Sequence, residues 1–224
     1  MHGTNPIREP VQGDGLTLDV QSIFSTLQGE GIYSGWPAIF IRLGGCNLAC
    51  TFCDTEFESF KSTPLTDILN SVKKLSLNND GKRIRNLVVI TGGEPLRQPI
   101  EKLCAALLVK EFTVQIETNG TLYRELPEGV DIICSPKNNG AGYFPVRGDL
   151  LPRVNAFKFI ISAGNDDYKN IADVGQGSAI PVYVQPMDEG NAHKNAANLK
   201  LTTNIANDNG YRLSLQIHKI AGLE

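Results

Sequence analysis

PAIFIRLGGCNLACTFC, residues 37–53, joins an apolar run to three closely spaced cysteines. Residues 38–43 are almost continuously apolar, which is typical of a parallel strand covered on both faces. Cys46, Cys50 and Cys53 follow at C-x3-C-x2-C spacing. Three thiolates on one short loop can hold three corners of an iron–sulfur cube and leave the fourth iron without a protein ligand. The stretch therefore predicts a buried strand that leads into an iron–sulfur site.

Other interpretations of the cysteines stay open at this point. A zinc site normally has four ligands, often two C-x2-C pairs or added histidines. The sequence has no second pair, and His2, His193 and His218 lie far from the loop along the chain. Disulfide bonds would need an oxidising compartment, and nothing in the sequence indicates export. Chance spacing of buried cysteines is a further alternative.

Composition narrows the class of protein. The chain has 224 residues, of which 41% are hydrophobic and 20% charged, as in an ordinary folded domain. The net charge of −3 argues against general electrostatic binding to nucleic acid. No apolar run approaches the ~20 residues of a membrane helix, and residues 1–15 lack the apolar region of a secretory signal. We predict a flexible tail over residues 1–15 and one domain over 16–224, in a cytoplasmic protein with neither nucleic-acid nor membrane partners.

Strand-like and helix-like patterns alternate along the rest of the chain. Residues 16–26 predict an edge strand. Further predicted strands cover residues 38–43, 87–91, 113–117, 130–134, 157–161, 181–184 and 211–216. Predicted helices begin at Thr63-Pro64, run along residues 100–108 and cover residues 191–207. Repeated βα units build a parallel sheet, and a complete eightfold barrel needs ~250 residues. We therefore predict an α/β fold, a partial, open (β/α) barrel with about six parallel strands.

Small polar groups follow the predicted strands. These groups are Cys46–Cys53, Thr91–Glu94, Glu117–Asn119, Ser135–Lys137, Gln185 and His218. In parallel βα folds the carboxyl ends of the strands form one rim, where sites are built. Since loops are polar in any case, ordinary turn chemistry is the alternative. The repetition of the pattern at successive strand ends favours a site.

Three further features lie at this predicted rim. Gly92-Gly93-Glu94-Pro95 has two glycines that can leave backbone N–H and C=O groups accessible to a ligand, and a carboxylate that can bind an ammonium. The glycine-rich turn after residue 26 presents Gln28 and Glu30, either to the site or to solvent. Arg42 interrupts an apolar strand, so it points either into a site or outward to water.

The cysteine loop and residues 92–95 together resemble the radical S-adenosylmethionine (SAM) superfamily. In that superfamily the open iron binds the amino and carboxylate groups of SAM, and one electron cleaves SAM to methionine and a 5′-deoxyadenosyl radical. Most of the chain further resembles the 7-carboxy-7-deazaguanine synthase family. The matching segments are residues 27–31, 40–43, 45–48, 52–55, 89–95, 115–120, 135–137 and 213–219.

This resemblance implies an activity and its cofactors. The family converts 6-carboxy-5,6,7,8-tetrahydropterin to 7-carboxy-7-deazaguanine and ammonia, in queuosine and deazapurine biosynthesis. It implies a 4Fe–4S cluster, SAM and Mg²⁺ as cofactors. It also implies a homodimer and an electron donor such as flavodoxin or ferredoxin.

The resemblance assigns individual residues to each ligand. Cys46, Cys50 and Cys53 would bind the cluster, and Thr55 would bind magnesium. Residues implied for SAM are Phe52, Cys53, Asp54, Gly92, Gly93, Glu94, Glu117, Ser135, Pro136 and Lys137. Residues implied for the pterin are Leu27, Gln28, Gly29, Glu30, Arg42, Thr91, His218 and Glu224, the last through the C-terminal carboxylate.

Two other functions remain as alternatives. An activating enzyme that makes a glycyl radical on a partner protein would share the cysteine loop and residues 92–95. Such an enzyme should not need Arg42, Thr55 or His218. A non-enzymatic binding protein with a structural zinc is the second alternative.

Overall fold

The computed structural model describes residues 5–223, and one nine-stranded sheet lies at its centre. The strands are β1 Thr17–Leu27, β2 Pro37–Leu43, β3 Lys61–Pro64, β4 Leu87–Gly92, β5 Thr113–Thr118, β6 Val130–Cys134, β7 Val154–Ile161, β8 Val182–Pro186 and β9 Arg212–Leu213. The α-helices are α1 Leu65–Ser76, α2 Glu101–Val109, α3 Ala192–Asn209 and α4 Ile217–Ile220. Glu224, predicted to bind the substrate, and His2 lie outside the described residues.

The topology is that of an open, partial barrel. The strand order is β3-β1-β2-β4-β5-β6-β7-β8-β9. Every neighbouring pair from β2 to β9 is parallel, whereas β1 is antiparallel to both β2 and β3. Six parallel strands of at least five residues and the short β9 therefore make up the barrel part. The predicted fold is confirmed.

The strands are apolar on both faces because both faces are covered. On the outer face, Ile39 and Ile41 of β2 belong to the main core, which also includes Ile68 of α1 and Leu103 of α2. On the inner face, Ala38, Leu87 and Val89 form a smaller cluster with Tyr33 and Phe40. Ala38 and Leu87 lie near the amino ends of β2 and β4, whereas the predicted site residues follow the carboxyl ends of the strands.

Three local predictions were wrong. Helix α1 begins at Leu65, because Lys61–Pro64 pairs with β1 as β3 and Pro64 is the N-cap. Strand β1 is consequently not at the edge of the sheet. The last strand covers only Arg212–Leu213 rather than residues 211–216, because the chain turns there into α4, whose N-cap is Gln216.

Residues 5–15 run along the outside of the cysteine loop. The backbone N–H of Arg8 donates to the carbonyl of Cys46 at 2.7 Å, and that of Val11 donates to Arg97 at the same distance. The Arg97 guanidinium donates in turn to the carbonyl of Glu9 at 3.0 Å. The division of the chain at residue 15 stays a prediction. Within the described residues, no helix is both long and apolar enough to span a membrane.

Candidate active site

The carboxyl ends of the parallel strands surround a cavity of about 290 Å³. Residues predicted for the site that line it are Cys46, Cys50, Phe52, Cys53, Asp54, Thr55, Gly92, Gly93, Glu94, Glu117, Ser135, Lys137, Leu27, Gln28, Glu30, Arg42, Thr91 and His218. Of the described residues predicted for the site, Gly29 and Pro136 do not line the cavity. The fold thus gathers most of the predicted residues around one space, while their individual roles stay predictions.

The cavity is also lined by residues that were not predicted for the site. They include Asn5, Phe24, Lys158, Met187, Asp188 and Gln216. Asn119 and Gln185, which were expected at the rim, also line the cavity. Lys158 could have been noticed in the sequence, because it is the one charged residue in the otherwise apolar segment 156–161. For Gln216, the last strand was predicted to continue to residue 216, so its place at the start of α4 was not expected.

The three cysteine thiols lie partly buried on one wall of the cavity. Burial raises the pKa of all three, that of Cys46 to about 12. A bound iron would favour the thiolate forms instead. Among residues 5–223, no three His, Cys, Asp or Glu side chains are placed so that they could bind one metal ion together. Because a four-iron cluster offers each thiolate its own iron, these cysteines fit a cluster better than a zinc ion.

Gly92, the last residue of β4, and Gly93 after it allow the chain to pack against the cysteine loop. The N–H of Gly93 donates to the carbonyl of Leu43 at 3.1 Å, and that of Glu94 donates to Gly45 at 3.0 Å. A Cβ on Gly93 would lie 1.9 Å from the Gly45 oxygen, and one on Gly92 would lie 2.1 Å from the Leu43 oxygen. The N–H groups of Gly93 and Glu94 are therefore taken up by the backbone at the end of β2 and the start of the cysteine loop, whereas the expected exposure of the carbonyls to a ligand stays a prediction.

Gly93→Ala should damage the site through this contact. We expect a loss of about 3 kcal/mol in the free energy of unfolding, because a methyl group would push the Gly45 backbone away. Chemical denaturation measures the loss, and iron content after reconstitution measures the effect on the loop. Gly148→Ala is the matched control, since a Cβ there meets no atom within 4 Å. Equal stability of the two variants would contradict the prediction.

Glu94 holds the end of β5 against the turn after β4. Its side chain is 1% exposed and accepts hydrogen bonds from Leu96 N at 3.0 Å, Thr118 Oγ1 at 2.7 Å and Asn119 N at 2.7 Å. Burial raises the pKa of Glu94, although these donors oppose the rise. The carboxylate lines the cavity, so its predicted contact with SAM would be made in addition to a structural role.

Arg42 points into the cavity rather than outward. It lies beside Thr91 in the register of β2 and β4, and its guanidinium carbon is 5.6 Å from the centre of the Phe24 ring. Its Nη1 donates to Thr55 Oγ1 at 3.3 Å, and Thr55 Oγ1 donates to Asp54 Oδ1 at 3.2 Å. A guanidinium, a hydroxyl and a carboxylate are thus in contact at the cavity wall.

An ion-paired lysine joins two carboxylates inside the cavity. Lys158 Nζ donates to Glu117 Oε2 at 2.7 Å and to Glu30 Oε2. The other Glu30 oxygen accepts from Gln216 Nε2 at 2.9 Å, and Gln28 Nε2 donates to Glu117 Oε1 at 3.4 Å. Burial alone would raise the pKa of Glu30, but Lys158 and Gln216 outweigh it and lower that pKa to about 2. Glu30 is therefore ionised at neutral pH.

On the side predicted for SAM, Lys137 and Phe52 are held by local contacts. Lys137 Nζ donates to the carbonyl of Ser135 at 2.7 Å and to its hydroxyl at 2.6 Å. Burial lowers the pKa of Lys137. The Phe52 ring packs edge-on against Tyr168, with 4.8 Å between ring centres. These contacts fix an ammonium and an aromatic ring next to the cysteines.

Helix α4 forms another wall of the cavity. His218 packs so tightly on the loop after β1 that a Cβ on Gly29 would lie 2.0 Å from His218 Nδ1. Burial lowers the pKa of His218, so its imidazole is neutral at pH 7. Lys219 Nζ donates to Asp54 Oδ2 and Asp188 Oδ2, both at 2.9 Å. Gly29 therefore shapes the site through His218 although it does not line the cavity.

Comparisons with known proteins agree with this arrangement. The sequence model of the Radical SAM superfamily matches residues 40–137, which include the cysteine loop and the turn after β4. The fold and this match define a radical SAM enzyme, a class whose cofactors are a 4Fe–4S cluster and SAM.

Relatives along the full chain identify the family. A 7-carboxy-7-deazaguanine synthase from Rickettsia prowazekii is 57% identical over 100% of this chain and 96% of its own length. One from Rhodospirillum rubrum is 41% identical over 98% of each chain. The crystal structure of QueE from Escherichia coli superposes with a TM-score of 0.70 at 27% identity, covering 89% of this chain and 94% of that one. The chain belongs to the 7-carboxy-7-deazaguanine synthase family.

Proposed function

We propose that this enzyme converts 6-carboxy-5,6,7,8-tetrahydropterin to 7-carboxy-7-deazaguanine with loss of ammonia, for queuosine or other deazapurine synthesis. The observation that supports it best is the composition of one cavity. Three cysteine thiols form part of the wall, and Arg42, Gln28 and Thr91 line the same space. The names of the full-length relatives support the same product.

The cysteine side of the cavity would hold the cofactors. Cys46, Cys50 and Cys53 would bind the cluster, and residues 92–94, Glu117, Phe52, Asp54 and residues 135–137 would surround SAM. When bound, the cluster and SAM supply a 5′-deoxyadenosyl radical that takes a hydrogen atom from C6 of the substrate. The protein orients the substrate and excludes competing reactions during the ring contraction that releases ammonia.

The opposite side of the cavity would bind the pterin. The planar guanidinium of Arg42 can bind the substrate carboxylate with two parallel hydrogen bonds. The side chains of Gln28 and Thr91 can meet the donors and acceptors along the edge of the ring. Neutral His218 can donate or accept one hydrogen bond, and residues 27–30 complete this wall. Glu224 would contribute the C-terminal carboxylate.

Magnesium would bind at Thr55. Mg²⁺ takes hard oxygen ligands and keeps several waters, and the Thr55 hydroxyl lines the cavity. The positively charged guanidinium of Arg42 lies 3.3 Å from that oxygen and would repel a magnesium ion that has no anion beside it. A substrate carboxylate between Arg42 and the metal would remove this conflict, so magnesium and the pterin should bind together. The ion would hold the substrate and polarise it.

Thr55→Val should abolish the response to magnesium. The substitution keeps the shape of the side chain and removes the oxygen ligand. We expect the added rate that Mg²⁺ gives over a chelator-treated sample to disappear, with a loss of about tenfold in kcat/KM, or about 1.4 kcal/mol. Thr55→Ser retains the hydroxyl and should keep the response. A Val variant that responds to Mg²⁺ like the unaltered protein would rule out Thr55 as the ligand.

One assay tests the proposed activity directly. The protein is reconstituted anaerobically with iron and sulfide and given SAM, a reductant, Mg²⁺ and the tetrahydropterin. Mass spectrometry should detect 7-carboxy-7-deazaguanine, together with 5′-deoxyadenosine and ammonia, and no product without SAM. Cleavage of SAM without conversion of the pterin would reject the proposed substrate.

The remaining parts of the proposal concern organisation. A flavodoxin or ferredoxin would supply the electron, and it should replace the chemical reductant in the same assay. We also propose a homodimer, a single domain over residues 16–224 and a location in the cytoplasm. Light scattering measures the oligomeric state, and limited proteolysis tests the boundary near residue 15.

A further inference from the structure

Lys158 is a buried cation between apolar neighbours in β7. Its neighbours Phe157 and Phe159 are fully buried in the main core, and Lys158 itself is 6% exposed on the cavity side. A lysine in such surroundings is stable only with anionic partners, because burying an unpaired charge is costly. Its partners are the carboxylates of Glu30 and Glu117.

The two carboxylates are assigned to different ligands of the candidate site. Glu30 follows β1 on the wall assigned to the pterin, whereas Glu117 lies in β5 near the residues assigned to SAM. One ammonium contacts both, so the three side chains carry a net charge of −1. Gln216 and Gln28 bind the remaining oxygens of Glu30 and Glu117. A single network thus reaches both ligand positions.

We propose that Lys158 is a positioning residue that keeps Glu30 and Glu117 ionised together, so that both carboxylates accept hydrogen bonds from the ligands in the cavity. The proposal rests on the function proposed above. A reduced pterin presents several N–H donors, and the ribose of SAM presents hydroxyl donors. An ionised carboxylate accepts at both oxygens, whereas a protonated one has a donor in place of an acceptor.

Replacing Lys158 by a neutral residue should change the ionisation of Glu30 and Glu117. Two buried carboxylates that share a site cannot both remain charged near neutral pH, so one takes up a proton. Lys137 and His218 are the other titratable groups that face this network. Both are present in every variant below. In the unaltered protein the pKa of Glu30 is about 2 and that of Lys158 is raised, so neither group titrates between pH 6 and 8.

The first measurement needs no ligand. Melting temperatures are recorded at pH 6, 7 and 8 for the unaltered protein and for Lys158→Met, Lys158→Arg and the double variant Lys158→Met/Glu117→Gln. In Lys158→Met the pKa of a carboxyl is raised above its unfolded value of about 4.3. Stability is therefore lost as the pH rises toward that raised pKa. We expect its melting temperature to fall by about 3–5 °C per pH unit relative to the unaltered protein.

The other variants separate charge from packing. The double variant keeps one buried carboxylate without its negative neighbour, so its extra pH dependence should be clearly smaller than that of Lys158→Met. Lys158→Arg keeps the cation and should show none. Lys194→Met removes an exposed lysine paired with Glu189 and is the control for loss of a surface ion pair. If Lys158→Met and the double variant lose stability equally at all three pH values, Lys158 acts only in packing and the proposal fails. The proposal also fails if Lys158→Met and the double variant both fail to fold.

The second measurement is ligand affinity under anaerobic conditions. The affinity of Lys158→Met for the tetrahydropterin should weaken toward pH 6, by up to about tenfold per pH unit relative to the unaltered protein, because binding must release the proton. An affinity ratio that does not change with pH would overturn the positioning role. If the unaltered protein binds SAM but not the pterin, the proposed function fails, and the affinity for SAM in the same variants decides the role of Lys158.

Discussion

Cys50→Ser should reduce product formation by at least about 10³-fold, which corresponds to about 4 kcal/mol in the activation free energy. Cys46→Ser and Cys53→Ser should have the same effect, because each thiolate would hold a different iron. Serine preserves the size of the side chain, so the folded loop should persist while the cluster does not. Iron and sulfide content, measured with the rate of SAM cleavage, should fall with the activity.

Cys104 provides the control for this experiment. It is fully buried in the core on α2 and is distant from the cavity lining. Cys104→Ala should cost about 1 kcal/mol of stability through the small cavity it leaves, while iron content and activity stay unchanged. If any of the three loop variants forms product at the unaltered rate, the cysteine loop does not carry the chemistry.

Arg42→Met should lower kcat/KM for the pterin by about 10²-fold or more. Loss of a partner in a buried, charged hydrogen-bonded pair costs about 2–5 kcal/mol, and each 1.36 kcal/mol is a factor of ten in rate. Arg42→Lys retains the charge but not the planar pair of donors, so we expect an intermediate loss. Affinity for SAM should change little in either variant, because the cysteine side of the cavity is intact.

Arg83→Met is the matched control. Its guanidinium lies 3.8 Å from the centre of the Phe112 ring, away from the cavity, so activity should be unchanged. Full activity of Arg42→Met would instead favour an enzyme that activates a partner protein, since such an enzyme would not need an arginine for a small carboxylate. Because Arg42 also donates to Thr55, its replacement could lower stability as well as activity. An unchanged melting temperature would show that the loss of activity reflects substrate binding.

The parallel strands could be predicted because burial on both faces leaves a clear apolar run. The predicted strand over residues 130–134 coincides with β6, Val130–Cys134. By contrast, Lys61–Pro64 has no alternation of apolar and polar residues, and its pairing depends on the backbone of β1. The pattern of proline after threonine therefore predicted a helix start where the chain forms a short strand.

The candidate site was predictable where residues close in sequence act together. The cysteine loop and the turn at Gly92–Gly93 are such segments, although the sequence could not show that the N–H groups of Gly93 and Glu94 bind backbone. The partners of Lys158 are 128 residues away at Glu30 and 41 residues away at Glu117. Only the folded sheet brings these charges together, so no local pattern predicted the network.

The ion pairs of Lys219 have a consequence for how ligands reach the cavity. Lys219 links α4 to Asp54 beside the cysteines and to Asp188 after β8, and all three side chains are partly exposed to water. Exposed ion pairs contribute at most about 1 kcal/mol each, little more than thermal energy. High ionic strength should therefore loosen this wall of the cavity and speed ligand exchange, while the hydrogen bond from Ile217 N to the Gly29 carbonyl still holds α4 to the loop after β1.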